Sequence, residues 1–158
     1  MPIISKKTKV ENESGLDFRH AFAGIAAVLC ANRMSLGFHV YERFPNVDIP
    51  LHLAGGFVAG LFAICIRNEL LRRKNIKRAP WWFDLLFVVG FAAMVASFWE
   101  LYEFVLDATN LALGNLDRTQ LSVGDTVFDL MNGMIGATFS FWIQGDSTTK
   151  TSRSRRTP

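Results

Sequence analysis

Charge is missing from four long stretches of this chain. Residues 21–31, 53–66, 85–96 and 133–143 contain no Asp, Glu, Lys, Arg or His, and their only hydroxyl side chains are Thr138 and Ser140. That absence removes any charged relay through these segments of a single chain and argues against a monomeric proton conduit. Cysteine is scarce as well. Cys30 and Cys65 are the only two, and both sit in apolar surroundings. Neither a disulfide nor a thiolate metal centre is expected, and a small apolar packing role accounts for both. The apolar runs lack the period-two alternation of barrel strands, which excludes a membrane barrel. No Gly-rich phosphate loop, nucleophile elbow or compact metal or hydrolase motif appears. The polar first seventeen residues lack the short charged region, apolar segment and small-residue cleavage site of a signal peptide.

What is present is segregated. Half of the 158 residues are hydrophobic, yet 17 are basic and 14 acidic, and the mean hydropathy is +0.21. The apolar residues collect at 21–40, 49–66, 81–106 and 125–143. About 20 such residues cross a hydrocarbon core of about 30 Å, and backbone polar groups in lipid must be satisfied within helices. The expected fold is therefore an all-α polytopic membrane helix bundle with four transmembrane helices over residues 18–144. It is flanked by a polar tail at 1–17 and a basic, disordered tail at 145–158.

Lys and Arg in short flanking segments stay on the cytoplasmic side. Of the seventeen basic residues, all but Arg33, Arg43 and Arg118 fall in the N-terminal segment, the connection at 67–78 or the C-terminal tail. Both termini are expected in the cytoplasm, with loops near 41–50 and 107–124 outside. This signal accounts for the Arg72–Arg78 cluster and the Arg-rich tail, so no nucleic-acid partner is expected. The partner that composition does require is the lipid bilayer of a bacterial-type inner membrane. Trp81, Trp82 and Trp142 suit an inner aromatic belt, and Tyr41, Trp99 and Tyr102 an outer one. Rows of small residues, Gly56 with Gly60 and Gly133 with Ala137 beside Gly136 with Ser140, allow close helix approach.

Polar groups gather at the opposite end. With a rise of about 1.5 Å per residue, Glu100 lies roughly 28 Å beyond Trp81, and His52 about 22 Å from Arg67. Helical neighbours are three or four apart, so Asp48 and His52 share one face. Glu100, Glu103 and Asp107 share another, and Asp125, Asp129 and Asn132 a third. Asn32 and Arg33 fall in the outer half of the first span. Ionisable groups at such depth turn towards one another, which predicts a shared, outward-facing pocket. His20 and His39 read as interfacial residues, and Asp84 and Glu69 as partners of nearby cytoplasmic Arg and Lys.

The ordered series Asp48-Ile-Pro-Leu-His52, Trp99-Glu100-Leu-Tyr-Glu103-Phe and Asp125-Thr-Val-Phe-Asp129-Leu-Met-Asn132-Gly-Met-Ile-Gly136-Ala137 resembles the YjdF-like family of bacterial inner-membrane proteins. It is more distantly similar to VanZ-like membrane proteins. The resemblance implies a small polytopic membrane protein without an assigned activity, with VanZ-like relatives linked to glycopeptide resistance and the cell envelope.

Several functions stay open at this stage. The pocket can bind a cation or a polar lipid or envelope ligand, with His52, Glu100 and Asp129 as its inner shell and as the candidate ligands of a metal. Glu103, Asn132, Asp48, Asp125 and Arg33 support that shell. One imidazole with several carboxylates suits Zn²⁺ or Mn²⁺. A metal-dependent hydrolase acting on a lipid head group or envelope precursor is a second reading, a structural or regulatory scaffold a third, and a proton-coupled transporter a fourth. Neither the reaction nor the oligomeric state follows from the residues. The charge asymmetry does generate a testable expectation. Alkaline phosphatase fused after Asn115 should be active and, fused after Pro158, inactive; the reverse pattern would contradict the orientation.

Overall fold

The computed structural model describes residues 16–74, 79–113 and 122–154, and every element among them is helical. The four long helices are α1 (Phe18–Gly37), α3 (Asp48–Lys74), α4 (Trp81–Ala112) and α5 (Val123–Ser154). A short α2 (Val40–Arg43) and a 3₁₀ turn (Pro45–Val47) link α1 to α3. Successive long helices run in opposite directions.

Local chemistry sets the helix ends. At the start of α1 the backbone N–H of Asp17 donates to Nδ1 of His20 (3.3 Å), and the His20 N–H returns a bond to the Asp17 carbonyl (3.0 Å). This reciprocal arrangement serves backbone groups that a helix start leaves open. α1 stops at Gly37, three residues earlier than the apolar pattern suggests. His39 takes a left-handed conformation (φ 53°) and turns the chain into α2. α3 begins at Asp48, an anion placed where the helix dipole favours it, and Pro50 is tolerated in a first turn that needs no N–H donor. The helix α5 continues through Ser154, past Gln144 where the sequence placed the end of the membrane domain and the start of a disordered tail. Residues 145–154 contain no proline, and each added residue of an existing helix gains a bond at low entropic cost. The polar tail at 1–15, Arg118 and residues 155–158 lie outside the described residues.

α3 is the central element and packs against α1, α4 and α5. Its contact with α5 is the closest. Gly56 lies against the Gly133 backbone, Gly60 against Ala137 and Ser140, and Gly136 against the Leu53 carbonyl, so a Cβ at Gly56 or Gly136 would collide with main chain. The rows of small residues thus meet as expected, and backbone-to-backbone approach is how such rows gain dispersion energy in lipid. The Ser140 hydroxyl, fully buried, donates to the Ala137 carbonyl (2.7 Å). Ala59, Ala63, Ile64, Val88, Ala92, Ala137 and Phe141 form the core around this crossing. α1 leans on α3 through Phe18 and Phe22, whose rings stack edgewise on Phe62 (5.6 and 5.4 Å).

Outside the core the surface is apolar. Phe98, Phe128 and Phe139 are each more than 60% exposed, a distribution that water tolerates poorly and lipid favours. Among the described residues two helices, α3 over Asp48–Arg73 and α4 over Trp81–Ala112, are long and apolar enough to cross a membrane. Four were expected. α1 is only 20 residues long with Arg19, His20, Asn32 and Arg33 near its ends, and the N-terminal half of α5 carries Asp125, Asp129 and Asn132.

The glycine contact supplies a direct check. Gly56→Ala should lower the thermal unfolding midpoint in mild detergent by the equivalent of about 1–3 kcal/mol, the usual cost of overpacking. Gly90, where a Cβ meets nothing within 4 Å, should accept Ala without loss. Equal midpoints for the two variants would contradict the backbone contact.

Candidate functional site

Three helices deliver the polar residues to one end. On α3, Asp48 and His52 are one turn apart, and His52 Nε2 lies 3.3 Å from Asp48 Oδ1. Asp129 of α5 approaches the same nitrogen at 3.8 Å. From α4, Glu100 and Glu103 bring carboxylate oxygens that fall, with a His52 nitrogen, within 4.8 Å of one another. Asp48, His52 and Asp129 form a second grouping with the same spacing. His52 belongs to both and is the hub of the cluster. It reaches Asp129 because the glycine crossing one turn deeper holds α3 and α5 nearly backbone to backbone.

Burial makes this arrangement unusual. His52, Glu100, Glu103 and Asp129 are 8, 5, 6 and 4% exposed, so three carboxyl groups and one imidazole have left solvent together. Desolvated like charges repel strongly, and ionic groups in such surroundings need counter-charge or hydrogen bonds. Beside the His52 contacts with Asp48 and Asp129, Trp99 Nε1 donates to Glu103 Oε1 (2.9 Å). A mixed set of nitrogen and carboxylate oxygen donors at this spacing suits a divalent cation.

The remaining expected residues divide. Asp48, Asp125 and Asn132 are half-buried on the same stripes, and Asp48 contacts His52 directly. Arg33 does not join them. It is exposed, and Asn32, one residue and about 100° earlier on α1, is the buried member of the pair at 7% exposure. Arg33, expected to support the shell, is therefore turned away from the cluster. Two residues that composition assigned to an outer aromatic belt have specific polar partners. Trp99 bonds Glu103 across one helical turn, a spacing visible in the sequence. Tyr41 donates its hydroxyl to Asn32 Oδ1 (2.7 Å), a contact that required the turn at His39. Burial, with the Asp48 carboxylate beside it, pushes the Tyr41 phenol above its ordinary value and keeps it protonated.

The opposite end is different. Arg67 Nη1 pairs with Asp84 Oδ2 at 3.1 Å, joining α3 to α4, and Arg72 meets Glu69 at 2.7 Å. The expected neutralisation of Asp84 and Glu69 by neighbouring arginines is what the structure has.

No curated protein and no solved structure matches this chain. Residues 4–146 match the model of one family, whose description assigns membrane residence and no activity. With its apolar faces, two long apolar helices and this match over most of its length, the chain belongs to the family described as "Predicted membrane protein (DUF2238)".

Proposed function

We propose that this chain is a four-pass protein of a bacterial-type inner membrane, with both termini cytoplasmic, whose outward-facing pocket binds a divalent cation. His52, Glu100 and Asp129 would supply the ligand atoms, supported by Glu103, Asp48, Asp125 and Asn132. The observation that carries this reading is a buried imidazole shared by two groupings of ligand atoms within 4.8 Å of one another, one with Asp48 and Asp129 and one with Glu100 and Glu103. Nitrogen and carboxylate oxygen together suit Zn²⁺ or Mn²⁺ better than a purely oxygen-seeking ion.

The placement draws on independent features. The basic residues cluster in the segments assigned to the cytoplasm, and the apolar faces suit lipid. The likeness of the 48–137 series to YjdF-like and VanZ-like proteins supports a setting in the cell envelope. Within that setting a bound cation can hold a phosphate or polarise water, and the pocket opens to the side where envelope precursors lie. A transport role draws no support from the uncharged inner halves of the helices.

Metal content tests the proposal. Protein purified in mild detergent without chelator or affinity metal, then desalted after incubation with Zn²⁺ or Mn²⁺, should retain near-stoichiometric ion and gain thermal stability, as any ligand of the folded state confers. His52→Ala and Asp129→Ala should remain folded and lose both effects. A parent protein that retains no ion and shows no stabilisation would overturn the cation reading and leave a structural polar network.

A further inference from the structure

Between α1 and α4, over the face of α3, lies a cleft of about 290 Å³. Its character changes along its length. One end carries Asn32, Tyr41, Asp48 and His52, and the remainder is lined by apolar residues including Val28, Gly55, Ala59 and Val95. Phe62 closes the far end, in contact with Phe22 of α1 and Phe91 of α4 (ring centroids 5.4 and 6.1 Å). From His52 to Phe62 the helical rise gives roughly 15 Å, half of a hydrocarbon core of about 30 Å. The length of the cleft is therefore that of a single leaflet.

Two further observations bear on what fills it. Leu29 and Val95, on its two walls, are exposed, so the rim faces sideways into the surroundings of the helices, which in a membrane are acyl chains. Gly55 is the second. Gly56, Gly60 and Gly136 are glycines because a neighbouring helix presses on them, whereas a Cβ at Gly55 would meet only Val28, at 4.0 Å. Helix packing does not require glycine there, and its effect is to keep the cleft open.

We infer that this cleft binds one hydrocarbon chain of a bilayer lipid, with a hydrogen-bond-donating headgroup seated at the Asn32, Tyr41, Asp48 and His52 end. The lipid class follows from the lining. An apolar slot open to acyl chains takes hydrocarbon without a desolvation cost. At its polar end the Tyr41 proton is already committed to Asn32, and the Asp48 carboxylate offers acceptors. Nearby Asp129, Glu100 and Glu103 disfavour a bare anion. An ethanolamine ammonium or a glycerol hydroxyl donates to such a site, and choline cannot. The inference rests on the membrane placement proposed above and not on the cation, so the test is run with EDTA present.

The experiment is photolabelling in choline-lipid vesicles containing a small fraction of phospholipid with a diazirine on its acyl chain, the headgroup being ethanolamine, glycerol or choline. Labelled residues are mapped by peptide mass spectrometry. Val28, Ala59 and Val95 should be labelled more heavily than Phe139, which is exposed on the far face of α5. Gly55→Leu should remove most of the cleft labelling and leave Phe139 unchanged; should that variant fail to fold, Val28→Phe fills the slot from the opposite wall. Ethanolamine or glycerol lipid should label the cleft about tenfold above choline lipid, the worth of one charge-assisted hydrogen bond, and the preferred one of the two identifies the headgroup. Cleft labelling equal to that of Phe139, or unaltered in the filled variants, would overturn the inference. Equal labelling by choline lipid would overturn the headgroup assignment.

Discussion

The crossing of α3 and α5 presses main chain against main chain, Gly56 on Gly133 and Gly136 on the Leu53 carbonyl, and the position of the polar site depends on it. Two helices with ordinary side chains between them stand 8–10 Å apart. At that spacing His52 and Asp129 would address solvent or lipid separately. With glycine at the contact, the imidazole on one helix comes within 3.8 Å of the carboxylate on the other, and α4 closes the third side with Glu100 and Glu103. The small residues therefore do more than tighten the bundle. They convert three separate polar stripes into one buried group.

The two ends of the bundle treat charge in opposite ways. At the Arg67 end the acids Asp84 and Glu69 have arginines: Arg67 for Asp84, Arg72 and Arg73 for Glu69. Such pairs satisfy both partners and leave nothing for a ligand. At the His52 end one imidazole sits among the carboxylates of Asp48, Asp129, Glu100 and Glu103, and Arg33 of α1 is exposed. The close approach of one buried imidazole to carboxylates from three helices is the physical basis for proposing a cation in the cluster.

Much of this arrangement was legible in the residues. The glycine and alanine rows predicted which faces meet, because four-residue spacing of small side chains has few other uses in lipid. The three- and four-residue steps of Asp48 and His52, of Glu100 and Glu103, and of Asp125, Asp129 and Asn132 predicted the stripes. Spacing within one helix does not say which member of a stripe meets another helix, so the position of His52 in both groupings needed the fold. Arg33 and Asn32 are adjacent in sequence but point about 100° apart, and only the packing of α1 on α3 selects Asn32. The early end of α1 turns on the left-handed His39, a conformation that apolar patterning does not encode. Hydropathy was least informative for α5, where residues that build the site lower the apolarity by which a span is recognised.

The central claim is that His52 sits among carboxylates within the bundle. Magic-angle-spinning NMR in lipid bilayers addresses it directly, using protein in which His20→Gln and His39→Gln leave His52 as the sole histidine, with ¹⁵N in the imidazole and ¹³C in the Asp and Glu carboxyl groups. Asp48 Oδ1 at 3.3 Å and Asp129 Oδ1 at 3.8 Å from His52 Nε2 predict clear nitrogen-to-carboxyl dipolar couplings that weaken when Asp48 or Asp129 is replaced by Asn in unlabelled form. An imidazole coupled to no carboxyl carbon would contradict the account.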